Sequence, residues 1–142
     1  MFTGYLNNPN ETRTKLVDGI YYTGDIGYID EDGFLFVEAR RSDLIITGGE
    51  NVNPLEVEKQ ILLHHDVEDC CVVGIDDKTW GQIVAVAVVS KNQNLKELEI
   101  QKFLKSKLAG FKVPKKFLIV EELPKTSLGK IEKEKIITLF RT

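Results

Sequence analysis

The run Ile83-Val84-Ala85-Val86-Ala87-Val88-Val89 leaves the chain few options. Nearly every residue in it is β-branched or alanine, which favours an extended backbone and burial. It reads as a buried strand. Val67 to Ile75, around Cys70-Cys71-Val72-Val73, reads as a second one, and Lys78 to Gln82, with the sole tryptophan Trp80, as the turn before the first. Leu44-Ile45-Ile46 is a short strand candidate, followed by a loop at Gly48-Gly49-Glu50-Asn51. Asn53 then suits a helix cap with Pro54 at the first helical position, where a missing N–H costs nothing. Leu55, Glu56, Val57, Glu58, Ile61 and Leu62 continue at helical spacing. Leu95 to Leu108 carries an amphipathic pattern. Phe117 to Val120 is a strand, Pro124 to Gly129 a loop, and Ile131 to Phe140 a closing helix. The fold class is therefore α+β: a small mixed sheet with helices, expected on one side of it.

The first forty residues read differently. Residues 1 to 19 are polar and turn-rich, without a clear apolar period. Ile20-Tyr21-Tyr22 is β-forming. Asp25 to Asp30 and Phe34 to Glu38 flank Glu31-Asp32-Gly33, a strong hairpin signal because glycine accepts positive φ. The expected organisation is a β-rich segment, 1–41, cut from a larger domain, followed by a small domain, 42–142.

With 142 residues, the chain is small for an enzyme that must hold several large substrates. A net charge of -3 argues against nucleic-acid binding. The two cysteines are adjacent in an apolar run and read as small strand residues, so no disulfide framework is present and a reducing compartment is implied. No apolar stretch approaches membrane-spanning length, and the N-terminus lacks the pattern of a signal peptide. The expected location is cytoplasmic.

Three polar clusters interrupt this structural sequence. In Tyr22-Thr23-Gly24-Asp25, the glycine lets the backbone turn and leaves a carboxylate at a strand edge, suited to a vicinal diol such as ribose. In the stretch Arg40 to Pro54, Arg40 and Arg41 offer forked donors for phosphate or ribose oxygens, and Gly48-Gly49 allows close backbone approach. In Pro124-Lys125-Thr126-Ser127-Leu128-Gly129-Lys130, a lysine stands at the mouth of a helix after a polar, flexible arm, within reach of charge developing on an oxygen. Taken singly, each has a plain structural reading: a turn, a surface ion pair, a solvated lysine.

In order and spacing, the three clusters together resemble the last motifs of the adenylate-forming superfamily of acyl-CoA synthetases, luciferases and peptide-synthetase adenylation domains. The opening Met1-Phe2-Thr3-Gly4-Tyr5-Leu6-Asn7-Asn8-Pro9 looks like the family's segment before its Thr-Gly-Asp motif, so the likeness spans essentially the whole chain. It implies a tail of a large adenylation domain (1–41) and a lid domain (42–142). Asp25 and Arg40 match nucleotide-binding positions. Ser42 stands at the hinge, where many relatives carry Asp or Lys. Gly48, Gly49 and Glu50 match the loop that lines the thiol tunnel, and Lys130 matches the catalytic lysine of adenylation. The substrates and ion implied are an acid, ATP, CoA and Mg2+; the missing N-terminal domain is the implied partner. The run from Arg40 to Pro54 is closest to CoA ligases, and Arg40-Arg41-Ser42-Asp43 resembles the branch acting on 2-succinylbenzoate in menaquinone synthesis. The chain alone is expected to be inactive.

Other residues carry plainer readings. His64 and His65 end a helix, with no third ligand of suitable spacing in view, so no metal site is expected. Trp80 reads as a packed turn, with CoA contact the alternative. Glu50 reads equally as a solvated loop acid. Two other classes stand beside the resemblance: a free-standing α+β binding module, and an adenylation domain that loads a carrier protein.

Overall fold

The computed structural model describes residues 3–92 and 95–141. They fall into two units, Met1–Ser42 and Asp43–Thr142.

The first unit opens with a short helix that hydropathy did not reveal, α1 (Pro9–Lys15). None of its residues is buried, so it has no apolar stripe. Its signal is the cap: the Asn8 side chain accepts the Glu11 N–H, and Pro9 takes the first turn. The two-residue strands β1 (Leu16–Val17) and β2 (Ile20–Tyr21) pair antiparallel around Asp18-Gly19. The longer hairpin β3 (Asp25–Ile29) and β4 (Leu35–Arg40) follows. The Asp30 carboxylate accepts the N–H groups of Asp32 and Phe34, closing the expected turn. Tyr28 stacks on Phe36 across the strands, ring centroids 5.2 Å apart. Apolar side chains here nonetheless face outward, Ile29, Phe34, Leu35 and Val37 among them, and Ala39 is the one buried hydrophobic residue described in this unit.

The second unit holds the core. Its elements are β5 (Ile45–Thr47), β6 (Glu50–Val52), α2 (Pro54–Ile61), β7 (Val67–Asp77), β8 (Gly81–Ser90), α3 (Glu97–Lys105), β9 (Lys116–Val120) and α4 (Lys133–Leu139). The strand order is β6-β5-β8-β7, and β9 also pairs with β8. Strands β7 and β8 form a long antiparallel hairpin from Val67↔Ser90 to Asp77↔Gly81. Strand β9 runs parallel to β8, which requires a crossover, and α3 supplies it. Asn53 caps α2 as expected, accepting the Leu55 N–H.

Helices cover both faces of this sheet, not one. Cys70, Val72, Val84, Val86 and Val88 pack with Val57 and Ile61 of α2 and with Ile100 and Leu104 of α3. The alternate residues Cys71, Val73, Ile75, Ile83, Ala85 and Ala87 pack with Leu123 and with Ile136 of α4. The reason lies in the runs themselves: successive side chains point to opposite faces, so a strand apolar at every position needs cover on both sides. Both cysteines are buried and unbridged. Burial pushes the Cys70 thiol up and the Cys71 thiol up to about 12, so neither forms a nucleophilic thiolate near neutral pH.

One carboxylate penetrates this layer. Glu58 of α2 accepts the Val72 N–H at 2.8 Å. Burial raises its pKa, outweighing the pull of that hydrogen bond and of Lys133. A raised carboxyl favours the folded state only while protonated, so stability falls as pH rises above about 4 and through the raised value. Glu58→Gln should flatten that decline, read from urea midpoints across the acid range. Ile136→Ala should cost about 2–5 kcal/mol in urea unfolding, because its site is fully enclosed. Leu128→Ala, at a residue 95% exposed, should stay within about 0.5 kcal/mol. Equal effects from the two would refute the second core.

Candidate functional site

Register brings Asp25 and Arg40 together. They are direct partners in the β3–β4 ladder, and Arg40 Nε donates to Asp25 Oδ1 at 3.2 Å. The terminal guanidinium nitrogens meet no acceptor among the described residues. Gly24, at φ 81, turns the chain into β3. Its carbonyl accepts the Arg41 N–H at 2.8 Å, and the Thr23 hydroxyl accepts the Asp25 N–H at 3.0 Å. Thr23, Gly24, Asp25 and Arg41 line an open concavity of about 570 Å³ together with Lys15 and Tyr22. A carboxylate beside a cationic fork can take hydroxyl donors and anionic acceptors at one edge.

Gly48 and Gly49 form a tighter feature than a loop. Thr47 faces Glu50 in the β5–β6 ladder, so the glycines are the whole two-residue turn. Their φ values, 59 and 86, are those of a primed hairpin turn. At Gly48 a second demand adds to the first: a Cβ there would lie 2.6 Å from the Trp80 ring. The Gly48 N–H also donates to the Trp80 carbonyl at 2.9 Å. Trp80 is half-exposed, and Lys115 Nζ sits 3.8 Å from its ring centroid. Asp77 accepts the N–H groups of Thr79 and Trp80, which hold its carboxyl below the usual range. Lys115 had no short-range signal in sequence; strand pairing brings it to the turn. Glu50 is exposed.

The arm before Lys130 is not a floppy tether. Lys125 bridges Ile131 in antiparallel fashion. Thr126 N–H donates to the Lys130 carbonyl at 2.8 Å, Gly129 N–H to the Thr126 carbonyl at 2.8 Å, and Lys130 N–H to the Thr126 hydroxyl at 3.2 Å. The Lys130 side chain is exposed, and its ammonium has no partner among the described residues. Ser42 is exposed within a single 3-10 turn, Arg41–Asp43, where one unit gives way to the other.

Within the second unit, the loop of Lys130 and the glycine turn each have an anchor near a different end of the β7–β8 hairpin. The loop of Lys130 is tied to Asp69, near the start of β7, by Lys125 at 3.2 Å. The glycine turn pairs at Thr47↔Gly81, beside Asp77 at the end of β7. At the rise of an extended strand, Asp69 and Asp77 lie about 26 Å apart. Lys125 and the glycine turn are thus anchored far apart along this hairpin.

The histidines gain a neighbour the sequence reading missed. Donor atoms of His64, His65 and Asp66 lie within 4.8 Å of one another. They are already engaged, however: His64 Nδ1 accepts the Asp66 N–H, and His65 Nε2 meets Asp66 Oδ2 at 2.8 Å. His64 also packs edge-on against Phe103.

Residues 56–130 match the family described as AMP-binding enzyme C-terminal domain. The chain is 48% identical over 133 residues to the 2-succinylbenzoate–CoA ligase of Listeria monocytogenes serotype 4b, covering 94% of this chain and 28% of that protein. It is 47% identical over 138 residues to the enzyme of the same name from a Geobacillus species, covering 96% and 28%. Among solved structures, it resembles ATP-bound MatB from Rhodopseudomonas palustris (TM-score 0.91, 34% identity, 99% of this chain and 28% of that one). It also resembles the o-succinylbenzoate CoA synthetase of Bacillus subtilis in complex with its acyl-adenylate intermediate (TM-score 0.85, 36% identity, 94% and 28%). The chain thus spans little more than a quarter of the length of these relatives.

Because Trp80 is the only tryptophan, fluorescence reports on the turn. Gly48→Ala should shift the emission and lower stability by about 1–3 kcal/mol, through strain and displacement of the ring. Gly49→Ala, where a Cβ meets nothing within 4 Å, should cost less and leave the emission unchanged.

Proposed function

The chain belongs to the AMP-binding enzyme C-terminal domain family, and from that premise we propose that it is the C-terminal part of an ATP-dependent acid–CoA ligase acting on 2-succinylbenzoate. The observation that carries this reading is near-half identity, over more than nine-tenths of the chain, to ligases of that name. Residues 1–41 are then the tail of a large adenylation domain. The outward-facing Ile29, Phe34, Leu35 and Val37 support this, since a two-stranded hairpin needs further apolar cover to be stable. Residues 42–142 are the lid.

The reaction has two halves. In the first, the substrate carboxylate attacks the α-phosphorus of ATP; a carboxylate–phosphorus bond forms and pyrophosphate leaves. Asp25 accepts the ribose hydroxyls, Arg40 steers its free guanidinium nitrogens to the nucleotide, and Lys130 places its ammonium against the oxygens that gain charge. In the second, the CoA thiol attacks the acyl carbon, the thioester forms and AMP leaves with the bonding pair of the broken mixed anhydride. The fastening of the Lys130 loop and the glycine turn to different parts of the β7–β8 hairpin supports a lid that turns about Ser42 between the halves, withdrawing one and presenting the other. Gly48, Gly49 and Glu50 then line the thiol path, beside a half-exposed Trp80 and the Lys115 cation.

Mg2+ takes oxygen ligands. The one metal-competent cluster among the described residues, His64-His65-Asp66, offers largely nitrogen donors that are internally engaged. It does not fit this ion, which is assigned to the ATP phosphates and to residues outside this chain.

In the intact ligase, Lys130→Ala should lower pyrophosphate exchange with ATP and 2-succinylbenzoate about 10²–10³-fold while thioester formation from supplied acyl-adenylate persists. Undiminished exchange refutes the role of Lys130. Exchange with other acids but not this one refutes the substrate. The chain alone should release no pyrophosphate.

A further inference from the structure

Lys130 lies on a small hairpin whose inner hydrogen bonds fix its own shape, and Leu123 and Ile131 seat its feet against the second core. Two ion pairs, one at each foot, add to that anchoring. Lys125, five residues before Lys130, reaches Asp69 on β7 at 3.2 Å. Lys133, three residues after it and the first residue of α4, reaches Asp43 at 2.7 Å across 90 residues of sequence. Asp43 ends the 3-10 turn that contains Ser42 and is the first residue of the second unit.

The Lys133–Asp43 contact differs from the other ion pairs of this helix. Lys135–Glu132 is local and ties α4 to nothing beyond itself. Arg141–Asp76 is longer, 3.5 Å, with side chains 68% and 83% exposed. The Lys133 and Asp43 side chains are 35% and 37% exposed. Glu132 makes no side-chain cap for α4, and the helix is held to the sheet by Ile136 with Ile137 and Phe140 beside it. In its first turn, next to Lys130, the contact to Asp43 adds a polar tie to a segment distant in sequence. Partly exposed ion pairs contribute little to stability, but they define where a side chain stands.

We propose that Lys133 and Asp43 are positioning residues for adenylation: their ion pair locks the loop of Lys130 to the hinge segment, so that rotation about Ser42 carries the lysine as part of one rigid body. This rests on the reading of Lys130 as the adenylation lysine. The glycine turn is joined to Asp43 through β5 directly and does not need the pair. The two half-reactions therefore respond differently to its loss.

The test uses the intact ligase with the halves measured separately. Lys133→Met should reduce pyrophosphate exchange about 10–100-fold, the scale on which a small misplacement of a catalytic group acts. The loss should fall on kcat, with KM for ATP little changed, and thioester formation from supplied acyl-adenylate should keep its wild-type rate. The charge-swapped double variant Asp43→Lys/Lys133→Asp should recover most of the exchange. Unchanged exchange, equal loss in both halves, or no recovery in the swap overturns the proposal. A second measurement separates its failure from that of the parent reading. In the 142-residue chain, ¹⁵N relaxation of residues 126–131 should show increased fast motion in Lys133→Met. Unchanged motion refutes the clamp even if Lys130→Ala abolishes exchange. Increased motion, with Lys130→Ala leaving exchange intact, upholds the clamp as a structural fact but overturns its role in adenylation.

Discussion

The β7–β8 ladder is the constraint on which the second unit depends. It is long, antiparallel and apolar on both faces. A two-stranded ribbon of that kind cannot stand in water. One face takes α2 and α3, the other takes α4 and Leu123, and β5 and β9 pair along β8. Each helix is held where its own apolar residues meet the pleat. Removing water from Val72, Val84, Val86 and Val88 on one side, and from Cys71, Val73, Ala85 and Ala87 on the other, stabilises the fold more than any polar contact described here.

From that stiffness follows the separation of chemical groups. A strand cannot shorten, so whatever is fastened to its two ends stays apart. The glycine turn is fastened to one end through Thr47↔Gly81 and the Trp80 carbonyl. The loop of Lys130 is fastened to the other through Lys125–Asp69, and to the 3-10 turn Arg41–Asp43 through Lys133–Asp43. Hydrophobic burial provides the energy, and a few ion pairs worth up to about 1 kcal/mol each provide the aim. A domain built this way holds its surface features in fixed positions without changing its own shape.

The first unit shows the opposite balance. It has local hairpins, tight turns and a capped helix, but almost no buried apolar side chain. Its chemistry comes from register alone: opposing positions of β3 and β4 bring a carboxylate and a guanidinium within hydrogen-bond distance, fifteen residues apart in sequence.

Much of this was legible in the residues. The β-branched run fixed β8, Asn53-Pro54 fixed the start of α2, Glu31-Asp32-Gly33 fixed the β3–β4 turn, and the three polar clusters marked Asp25, Arg40, Gly48-Gly49 and Lys130. These signals are local, because propensity, capping and turn chemistry act over a few residues. The exposed helix α1 escaped because it has no apolar face to announce it. The closing helix was expected, but its place on the second face of the sheet escaped because a continuous apolar run says that a strand is buried, not by what. Pairing decided the rest: Lys115 over Trp80, Lys133 on Asp43, and Asp66 beside two histidines. Those facts join residues up to 90 positions apart, and only the folded sheet brings them within reach, since contact across such separations depends on the packing of every element between them.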